Sequence, residues 1–205
     1  KYDKSHDGLN GYHAFKINDP KPRDIHKASV RDRLVHHAIY RILYPFFDRT
    51  FIADSYSCRL GKGTHKALNR FRDFGYRVSR NNSRTCWVLK GDIRKFFANI
   101  DHGILKNILT KYIAEQRILN LLNGIIDSFD GKAVSLDSGP CLPAGRGRND
   151  DSSVGLPLGN LTSQLLVNIY MNKFDQFIKH KLKAKHYIRY ADDFVIFSDD
   201  KSWLI

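Results

Sequence analysis

The fold of this chain is decided by one stretch, His186-Tyr187-Ile188-Arg189-Tyr190-Ala191-Asp192-Asp193-Phe194-Val195-Ile196-Phe197. Two runs rich in β-branched and aromatic residues, 186–189 and 194–197, predict two strands that meet at a turn. The adjacent carboxylates Asp192 and Asp193 lie at that turn, where a tight hairpin would favour Asn-Gly or Asp-Gly. Like charges this close together require a counter-ion, and a hard divalent cation bound by carboxylate oxygens is the simplest one. The stretch therefore predicts a metal site at the edge of a sheet.

A third acid completes the predicted metal site. Asp92 follows the apolar run Cys86-Trp87-Val88-Leu89, which predicts a buried strand. Two neighbouring strands would bring all three carboxylates together, where they could bridge two Mg²⁺ ions about 3.5–4 Å apart and support phosphoryl transfer. The alternative interpretation is a set of solvated turn aspartates. We adopt that alternative only for Asp199 and Asp200, which follow the second strand into a polar turn.

The composition favours a protein with a packed core and a polyanionic partner. The 205 residues are 42% hydrophobic and carry a formal net charge of +13. Nucleic acid is the commonest partner of such a charge, although a basic protein without that partner has the same composition. The three cysteines form no C-x-x-C pair, which argues against a zinc site or a disulfide framework and favours a reducing cytoplasm. No apolar run approaches the length of a membrane span, so we expect no membrane partner.

Hydrophobic periodicity and turn residues predict the other elements. Around the turn Asp19–Pro22, the segments Tyr12–Ile17 and Asp24–Ile25 predict a short hairpin. A helix is predicted from Arg31 to the region of Pro45, with a buried face of Leu34, Val35, Ala38, Ile39, Ile42 and Leu43. Thr64 is the predicted N-cap of a helix that runs through Arg72.

The second half of the chain alternates helices with one long loop. Asp101 is the predicted cap of a helix, and residues 115–128 predict another. Residues 129–154, rich in Gly, Ser, Asp and Pro, predict a loop or insertion. The last predicted helix runs from Ser163 to Lys183, with a buried face of Leu166, Ile169, Tyr170, Phe174 and Phe177.

These motifs, in this order and spacing, resemble those of reverse transcriptases. Tyr190-Ala191-Asp192-Asp193 resembles the Y-x-D-D box of the palm, and Gly91-Asp92-Ile93-Arg94-Lys95-Phe96-Phe97 resembles the upstream palm aspartate motif. Gly155-Leu156-Pro157-Leu158-Gly159-Asn160-Leu161-Thr162-Ser163-Gln164 resembles the G-x-x-x-S box between them. The segment from Asp54 to His65 resembles the fingers motif of retron, group II intron and related bacterial enzymes, and Arg31 to Ala38 resembles the fingers helix before it.

The resemblance implies a right-hand polymerase fold of the α+β class. An antiparallel palm sheet packed on helices (86–205) would follow a mostly helical fingers region (1–85). We expect the C-terminal end of the palm and the thumb to be missing from this chain. The implied activity is RNA-directed DNA polymerisation, with an RNA template, a DNA or RNA primer and dNTPs. A catalytically silent, RNA-binding module of the same fold is the alternative from a different class.

The resemblance also implies roles for individual residues. The two Mg²⁺ ions would be held by Asp92, Asp192 and Asp193 with the carbonyl of Ile93, and Phe97 would exclude a ribose 2′-hydroxyl. The other implied nucleotide-binding residues are Lys16, Arg23, Leu158, Gly159, Ser163 and Gln164, and the implied template-binding residues are Arg59 and Lys62. For Phe97 the alternative is a position in the core. The alternative for the four basic residues is a solvated surface charge without a ligand: Lys16, Arg23, Arg59 and Lys62.

One departure from the common pattern indicates a subtype. Leu158 precedes the glycine of the G-x-x-x-S box where many reverse transcriptases have Gln, and Gln164 follows its serine where many have Pro. This form resembles the enzymes of diversity-generating retroelements, which implies error-prone copying at template adenines, a structured template RNA and a basic accessory protein. Because Leu158 offers no hydrogen bond to the nucleotide, pairing geometry would be checked less strictly. Retron, group II intron and defence-type enzymes are the alternative subtypes.

Overall fold

Helices and antiparallel strands alternate along the chain, which confirms the predicted α+β class. The computed structural model describes residues 12–18, 22–129 and 153–205. The strands are β1 (His13–Asn18), β2 (Pro22–Lys27), β3 (Trp87–Gly91), β4 (His186–Tyr190) and β5 (Asp193–Ser198). The helices are α1 (Val30–Asp48), α2 (Thr64–Val78), α3 (His102–Leu109), α4 (Gln116–Asp127), α5 (Leu161–Gln176) and α6 (Lys201–Leu204). No helix within these three ranges combines the length and apolar character of a bilayer span.

Each of two structural units draws on two segments of the sequence. The first unit comprises the described residues of Lys1–Arg41 and Lys95–Leu166, and the second comprises Ile42–Arg94 and Val167–Ile205. The division into fingers (1–85) and palm (86–205) stays a prediction. The predicted loop 129–154 falls almost entirely outside the described residues.

The predicted N-terminal hairpin is confirmed in the first unit. Strands β1 and β2 pair antiparallel, with Phe15 opposite Ile25 and Lys16 opposite Asp24. The link between them, residues 19–21, lies outside the described part of the chain.

The second unit contains a three-stranded antiparallel sheet in the order β3-β5-β4. Strands β4 and β5 form the hairpin predicted from the opening stretch, with Tyr190 opposite Asp193. Strand β3 pairs with β5, which places Gly91 opposite Phe194. The sheet therefore brings the end of β3 beside the turn between β4 and β5.

Strand β3 is not buried as its apolar sequence predicted. Trp87, Val88 and Leu89 all remain exposed, Trp87 to 39%. Within the described residues β3 is an edge strand whose only strand partner is β5, so one side of its backbone and part of its faces stay open. The ammonium of Lys201 on α6 lies 4.8 Å from the centre of the Trp87 ring and covers part of this surface.

Helix α1 continues past the predicted stop at Pro45 and ends at Asp48. Proline lacks the N–H that would bond one turn earlier, but the following turn is held by other contacts. Phe47 is buried, and the Tyr44 hydroxyl donates a hydrogen bond of 2.9 Å to Asp48.

The buried face of α1 also differs from the predicted one. Leu34 and Ile42 are 69% and 70% exposed, whereas the polar residues Asp32 and His36 are buried. Asp32 accepts a 2.8 Å hydrogen bond from the Ser29 hydroxyl. His36 Nδ1 lies 2.5 Å from the Thr162 hydroxyl oxygen. Because these hydrogen bonds satisfy the polar groups, the helix turns a partly polar face inward, which periodicity alone does not indicate.

The remaining helix boundaries follow their capping residues. Asp101 caps α3 as predicted, because its carboxylate accepts from the backbone N–H of Ile104. The prediction for Thr64 was wrong: Gly63 is the N-cap of α2, and the helix extends beyond Arg72 to Val78.

The long predicted helix 163–183 divides into two parts. Helix α5 is followed by a π-helical turn, Phe177–Lys181. The wider π turn rotates the apolar stripe, so Phe177 is 50% exposed and Ile178 is buried in its place. Leu166 and Ile169 are buried as predicted.

Candidate metal centre

Three carboxylates meet at one end of the β3-β5-β4 sheet. Asp192 lies in the two-residue turn between β4 and β5, Asp193 opens β5, and Asp92 directly follows β3. One oxygen from each carboxylate lies within 4.8 Å of the other two. Within the described ranges, this is the one group of three or more His, Cys, Asp or Glu side chains that could share an ion.

The donor set fits a hard divalent cation. All three side chains offer carboxylate oxygens, the ligands that Mg²⁺ takes in proteins, and Asp92 and Asp193 are exposed to entering ions and substrate. Lys90 Nζ lies 3.7 Å from Asp193 Oδ1 and neutralises part of the charge. Both of these groups are exposed, so this ion pair is a weak one.

The turn that carries Asp192 is strained and is held from inside. Ala191 has φ of 56°, in the left-handed region where a residue with a Cβ pays about 1 kcal/mol. The guanidinium of Arg189 donates from Nη1 to the Ala191 carbonyl at 2.8 Å. That bond fixes the backbone next to the metal-site carboxylates.

Arg189 is in turn fixed by Asp175 of α5. Both side chains are 0% exposed, and Arg189 Nε and Nη2 each donate to the Asp175 carboxylate at 2.8 Å. The Nη2 group also donates to the Ser55 hydroxyl at 3.0 Å and to Asn168 at 3.2 Å. The Tyr187 hydroxyl donates to Asp175 at 2.7 Å, and burial together with the Asp175 charge raises the pKa of Tyr187. A buried charge pair needs this number of hydrogen bonds to offset its desolvation.

Gly91 allows β3 to approach the hairpin closely. A Cβ at this position would overlap the ring of Phe194, the residue opposite it on β5. The Phe194 ring packs against Phe174 and Tyr187, with centroids 5.2 and 6.3 Å apart. A glycine immediately before Asp92 is therefore required for the contact that brings Asp92 to the turn.

The loop from Asp54 to Gly63 is tied to β4 rather than open to solvent. The backbone of Arg189 bonds to Asp54 and Tyr56 at 3.0 Å each. Arg70 of α2 donates to Asp54 at 2.8 Å. Burial and the neighbouring Asp54 carboxylate raise the pKa of Tyr56 to about 12.

The predicted template residues have structural contacts within this loop. Arg59 is almost completely buried, pairs with Asp48 at 2.7 Å and donates to the carbonyls of Ile52 and Ser55. These contacts give Arg59 a structural role in the loop, and its contact with the template stays a prediction. Lys62 Nζ donates to the Ala53 carbonyl at 2.8 Å, and its side chain remains half-buried.

The first unit contains all seven predicted nucleotide-binding residues. Phe97 is half-buried in a short 3₁₀ turn, Phe97–Asn99, and its carbonyl accepts from the Leu156 N–H at 2.8 Å. Its neighbour Phe96 is buried and takes the core position. The structure thus ties the turn at Phe97 to the start of the segment that contains Leu158 and Gly159.

Leu158 and Gly159 join this segment to β2. The His26 N–H donates to the Leu158 carbonyl at 3.0 Å, and Asn160 Nδ2 donates to the His26 carbonyl at 2.9 Å. Gly159 has φ of 105°, and a Cβ there would lie 3.0 Å from a methyl of Ile25. Ser163 is buried and Gln164 half-buried in the first turn of α5.

The two remaining predicted nucleotide-binding residues, Lys16 and Arg23, lie on the N-terminal hairpin. Lys16 is exposed on β1. Arg23 belongs to β2, but its side chain lies outside the described part of the structure.

Sequence reasoning missed the residues that support the aspartates from behind. Asp175 and Arg189 were not singled out, and Asp175 is one of several polar residues in the sequence of α5. Arg189 interrupts a strand next to the acid pair, which was the available signal. Ser55 gave no signal, because only the tertiary fold brings its hydroxyl to Arg189.

Comparisons with known proteins agree with this geometry. The family model described as reverse transcriptase (RNA-dependent DNA polymerase) matches residues 16–205. Protein YkfC of Escherichia coli (strain K12) is 27% identical, and the match covers 86% of this chain and 50% of YkfC. The group II intron-encoded protein LtrA of Lactococcus lactis subsp. cremoris is 28% identical over 83% of this chain and 25% of LtrA. The chain thus spans half or less of the length of these relatives.

A solved structure shares the fold. The apo telomerase of Candida tropicalis, truncated from its C-terminal domain, superposes with a TM-score of 0.62 at 13% identity, covering 98% of this chain and 46% of that one. At this identity the likeness concerns the fold alone, and it confirms the predicted polymerase fold class. Because the family model covers residues 16–205 of the 205, the chain belongs to the reverse transcriptase family.

Proposed function

We propose that this chain is the catalytic part of an RNA-directed DNA polymerase, which adds dNTPs to a primer paired with an RNA template. The observation that carries the proposal is the convergence of Asp92, Asp192 and Asp193, with oxygens within 4.8 Å of one another at a sheet edge. Membership in the reverse transcriptase family supports it. The net charge of +13 suits the phosphate backbones of template and primer.

The three aspartates would hold two Mg²⁺ ions, with the carbonyl of Ile93 as a further ligand. Bound there, such ions would favour ionisation of the primer 3′-hydroxyl and neutralise the charge of the departing pyrophosphate. The protein's own contribution is to keep the carboxylates in place. Arg189 does so for the turn through Ala191, and Gly91 does so for Asp92 by admitting the ring of Phe194.

The test compares two isosteric, charge-matched variants. Asp192→Asn removes a carboxylate of the site, whereas Asp73→Asn removes an exposed carboxylate of α2. We expect Asp192→Asn to lower Mg²⁺-dependent dNTP incorporation on an RNA template by more than about a hundredfold. Loss of a residue that only supports a metal ligand usually lowers activity by about a hundredfold at most. Asp73→Asn should retain activity.

Two outcomes would redirect the proposal. Equal incorporation by the wild type and Asp192→Asn would remove the aspartates from catalysis. RNA binding that ignores Mg²⁺, without incorporation on any primer and template, would favour the alternative of a catalytically silent RNA-binding module.

Phe97 is the proposed gate against ribonucleotides. The support is its position five residues after Asp92 and the fact that Phe96, not Phe97, is buried in the core. The variant Phe97→Ala should therefore narrow the preference for dNTPs over rNTPs. An unchanged preference would assign Phe97 to packing alone.

For the subtype, we propose an error-prone enzyme of a diversity-generating retroelement, working with a structured template RNA and a basic accessory protein. The support is the sequence Leu158-Gly159 together with Ser163-Gln164. The second candidate is an intron-encoded enzyme, which the similarity to LtrA favours. Sequencing of cDNA separates them: errors concentrated at template adenines and reduced in Leu158→Gln support the first, and an even distribution of errors contradicts it.

A further inference from the structure

A basic cavity lies at the end of the β4–β5 hairpin opposite the aspartate turn. It has a volume of about 370 Å³, and its walls include His186, where β4 begins, and Ser198, where β5 ends. Four or five residues of strand separate this end from the turn, a distance of roughly 15 Å. The cavity is therefore separate from the candidate metal centre.

The charge of the cavity is strongly positive. Its walls carry the cations Arg77, Arg80, Lys183 and Lys185 and the acid Asp199. None of the four bases forms an ion pair with any residue in the described ranges. Four cations and one carboxylate around one concave surface leave a net positive charge, so binding of an anion there is favourable.

The backbone presents two of these bases from tight turns. Arg80 and Lys183 have φ of 49° and 54°, both in the left-handed region. The turn at Arg80 is held by Ser79, whose hydroxyl accepts from the Asn82 N–H at 2.9 Å and whose carbonyl accepts from the Arg84 N–H at 2.8 Å. Strained residues that the surrounding bonds hold in place are typical of ligand sites.

The positive charges around the cavity affect the pKa of His186, the histidine in its wall. Burial and then the charges of Lys179, Arg77 and Lys185 lower the pKa of His186. The lowered pKa favours the neutral form of this histidine, so the positive charge of the cavity wall comes from the four basic side chains.

An aromatic surface adjoins the bases. Trp203 lines the cavity and is 46% exposed. Its backbone N–H donates a hydrogen bond to Asp200, the N-cap of α6. A half-exposed indole beside a row of cations offers one surface for a nucleobase and several contacts for phosphates, the combination that single strands require.

We propose that this cavity binds single-stranded nucleic acid, with phosphates on Arg77, Arg80, Lys183 and Lys185 and an unpaired base on Trp203. This is a second nucleic-acid site, independent of the polymerase reaction. The strand bound here would be a part of the RNA or DNA that is not in the duplex being extended.

The test measures binding of labelled oligouridine and oligothymidine, each about 12 nucleotides long, by fluorescence anisotropy in EDTA. Lys183→Gln/Lys185→Gln should weaken binding about tenfold or more. The slope of log K against log salt concentration should become shallower by about 0.7 for each lysine removed. Trp203→Ala should weaken binding by about tenfold, and Trp203→Phe should recover most of it. The two oligonucleotides decide whether the natural strand is RNA or DNA.

Controls keep the site apart from general charge and from catalysis. Arg49→Gln/Lys173→Gln removes two exposed bases of the same unit that do not line the cavity, and binding should change less than about twofold. Asp192→Asn should bind as the wild type does in EDTA, so the result holds even if the chain proves to be no polymerase. The proposal would be overturned if the Lys183/Lys185 and Arg49/Lys173 double variants lost equal binding affinity. Tighter binding of an oligoglutamate peptide than of oligouridine would overturn it as well. Thermal unfolding of each variant checks that the fold is retained.

Discussion

At the scale of single residues, Arg189 connects the core to the metal site. One guanidinium spans Asp175, Ser55, Asn168 and the carbonyl of Ala191. A buried ion pair contributes little net stability, because desolvation offsets most of its attraction. The pair instead fixes a position. The planar guanidinium of Arg189 has one orientation in which all its hydrogen bonds form, and in that orientation Nη1 donates to the Ala191 carbonyl. We therefore assign Arg189 as a positioning residue.

Two variants separate this positional role from stability. Arg189→Met leaves Asp175 as an uncompensated buried charge and should lower the free energy of unfolding by about 3–5 kcal/mol. Asp175→Leu/Arg189→Met removes both charges and should recover most of that loss in urea denaturation. Both variants should bind Mn²⁺ more weakly, because the carbonyl of Ala191 has lost its donor. Wild-type Mn²⁺ affinity in the double variant would refute the positional role.

At the scale of elements, the sequence predicted whether a segment is a helix or a strand better than it predicted which of its side chains are buried. Two runs rich in β-branched and aromatic residues predicted β4 and β5, and the capping residue Asp101 predicted the start of α3. The failures occur where a distant partner decides the outcome. Periodicity identified α1 as a helix but not its buried face, because the hydrogen bond between His36 and Thr162 joins residues far apart in sequence.

In the candidate site too, features set by the local sequence were predictable and features set by distant partners were not. The three aspartates were predictable, since each lies at or next to the end of a strand that its own sequence indicates. The support behind them was not, because Asp175 and Arg189 meet only when α5 packs on the sheet. The exposure of β3 was hidden as well, because its sequence cannot indicate which surfaces its neighbours cover.

The pairing of β3 with β5 can be tested at its narrowest point. Gly91→Ala places a methyl group inside the ring of Phe194, and we expect a loss of about 1–3 kcal/mol in the free energy of unfolding, as in other overpacked cores. Gly75→Ala is the matched control, because a Cβ on this residue of α2 meets no atom within 4 Å. There the helix should gain about 0.5–1 kcal/mol. Equal effects of the two changes would show that Phe194 moves aside freely.

At the scale of the whole molecule, stability is linked to pH through histidines held neutral. Burial lowers the pKa of His36 below its ordinary value of 6.5, and it outweighs the opposite effect of Asp32. Burial and neighbouring cations lower the pKa of His186 in the same direction. With 34 Lys and Arg against 21 Asp and Glu, each additional proton adds to an already positive molecule.

The sign of the pH dependence follows from linkage. A histidine with a lowered pKa in the folded protein binds its proton more readily when unfolded, so acid favours the unfolded state. The free energy of unfolding should be constant above about pH 7.5, fall as the pH drops through 6.5, and level off only below the folded pKa values. Urea denaturation between about pH 5 and 8 measures this, a range in which carboxylates of ordinary pKa stay charged. His36→Gln and His186→Gln should each flatten the curve, whereas the exposed control His65→Gln should not. A wild-type stability that rises on acidification would show that a carboxylate partner, such as Asp32 beside His36, controls these rings instead.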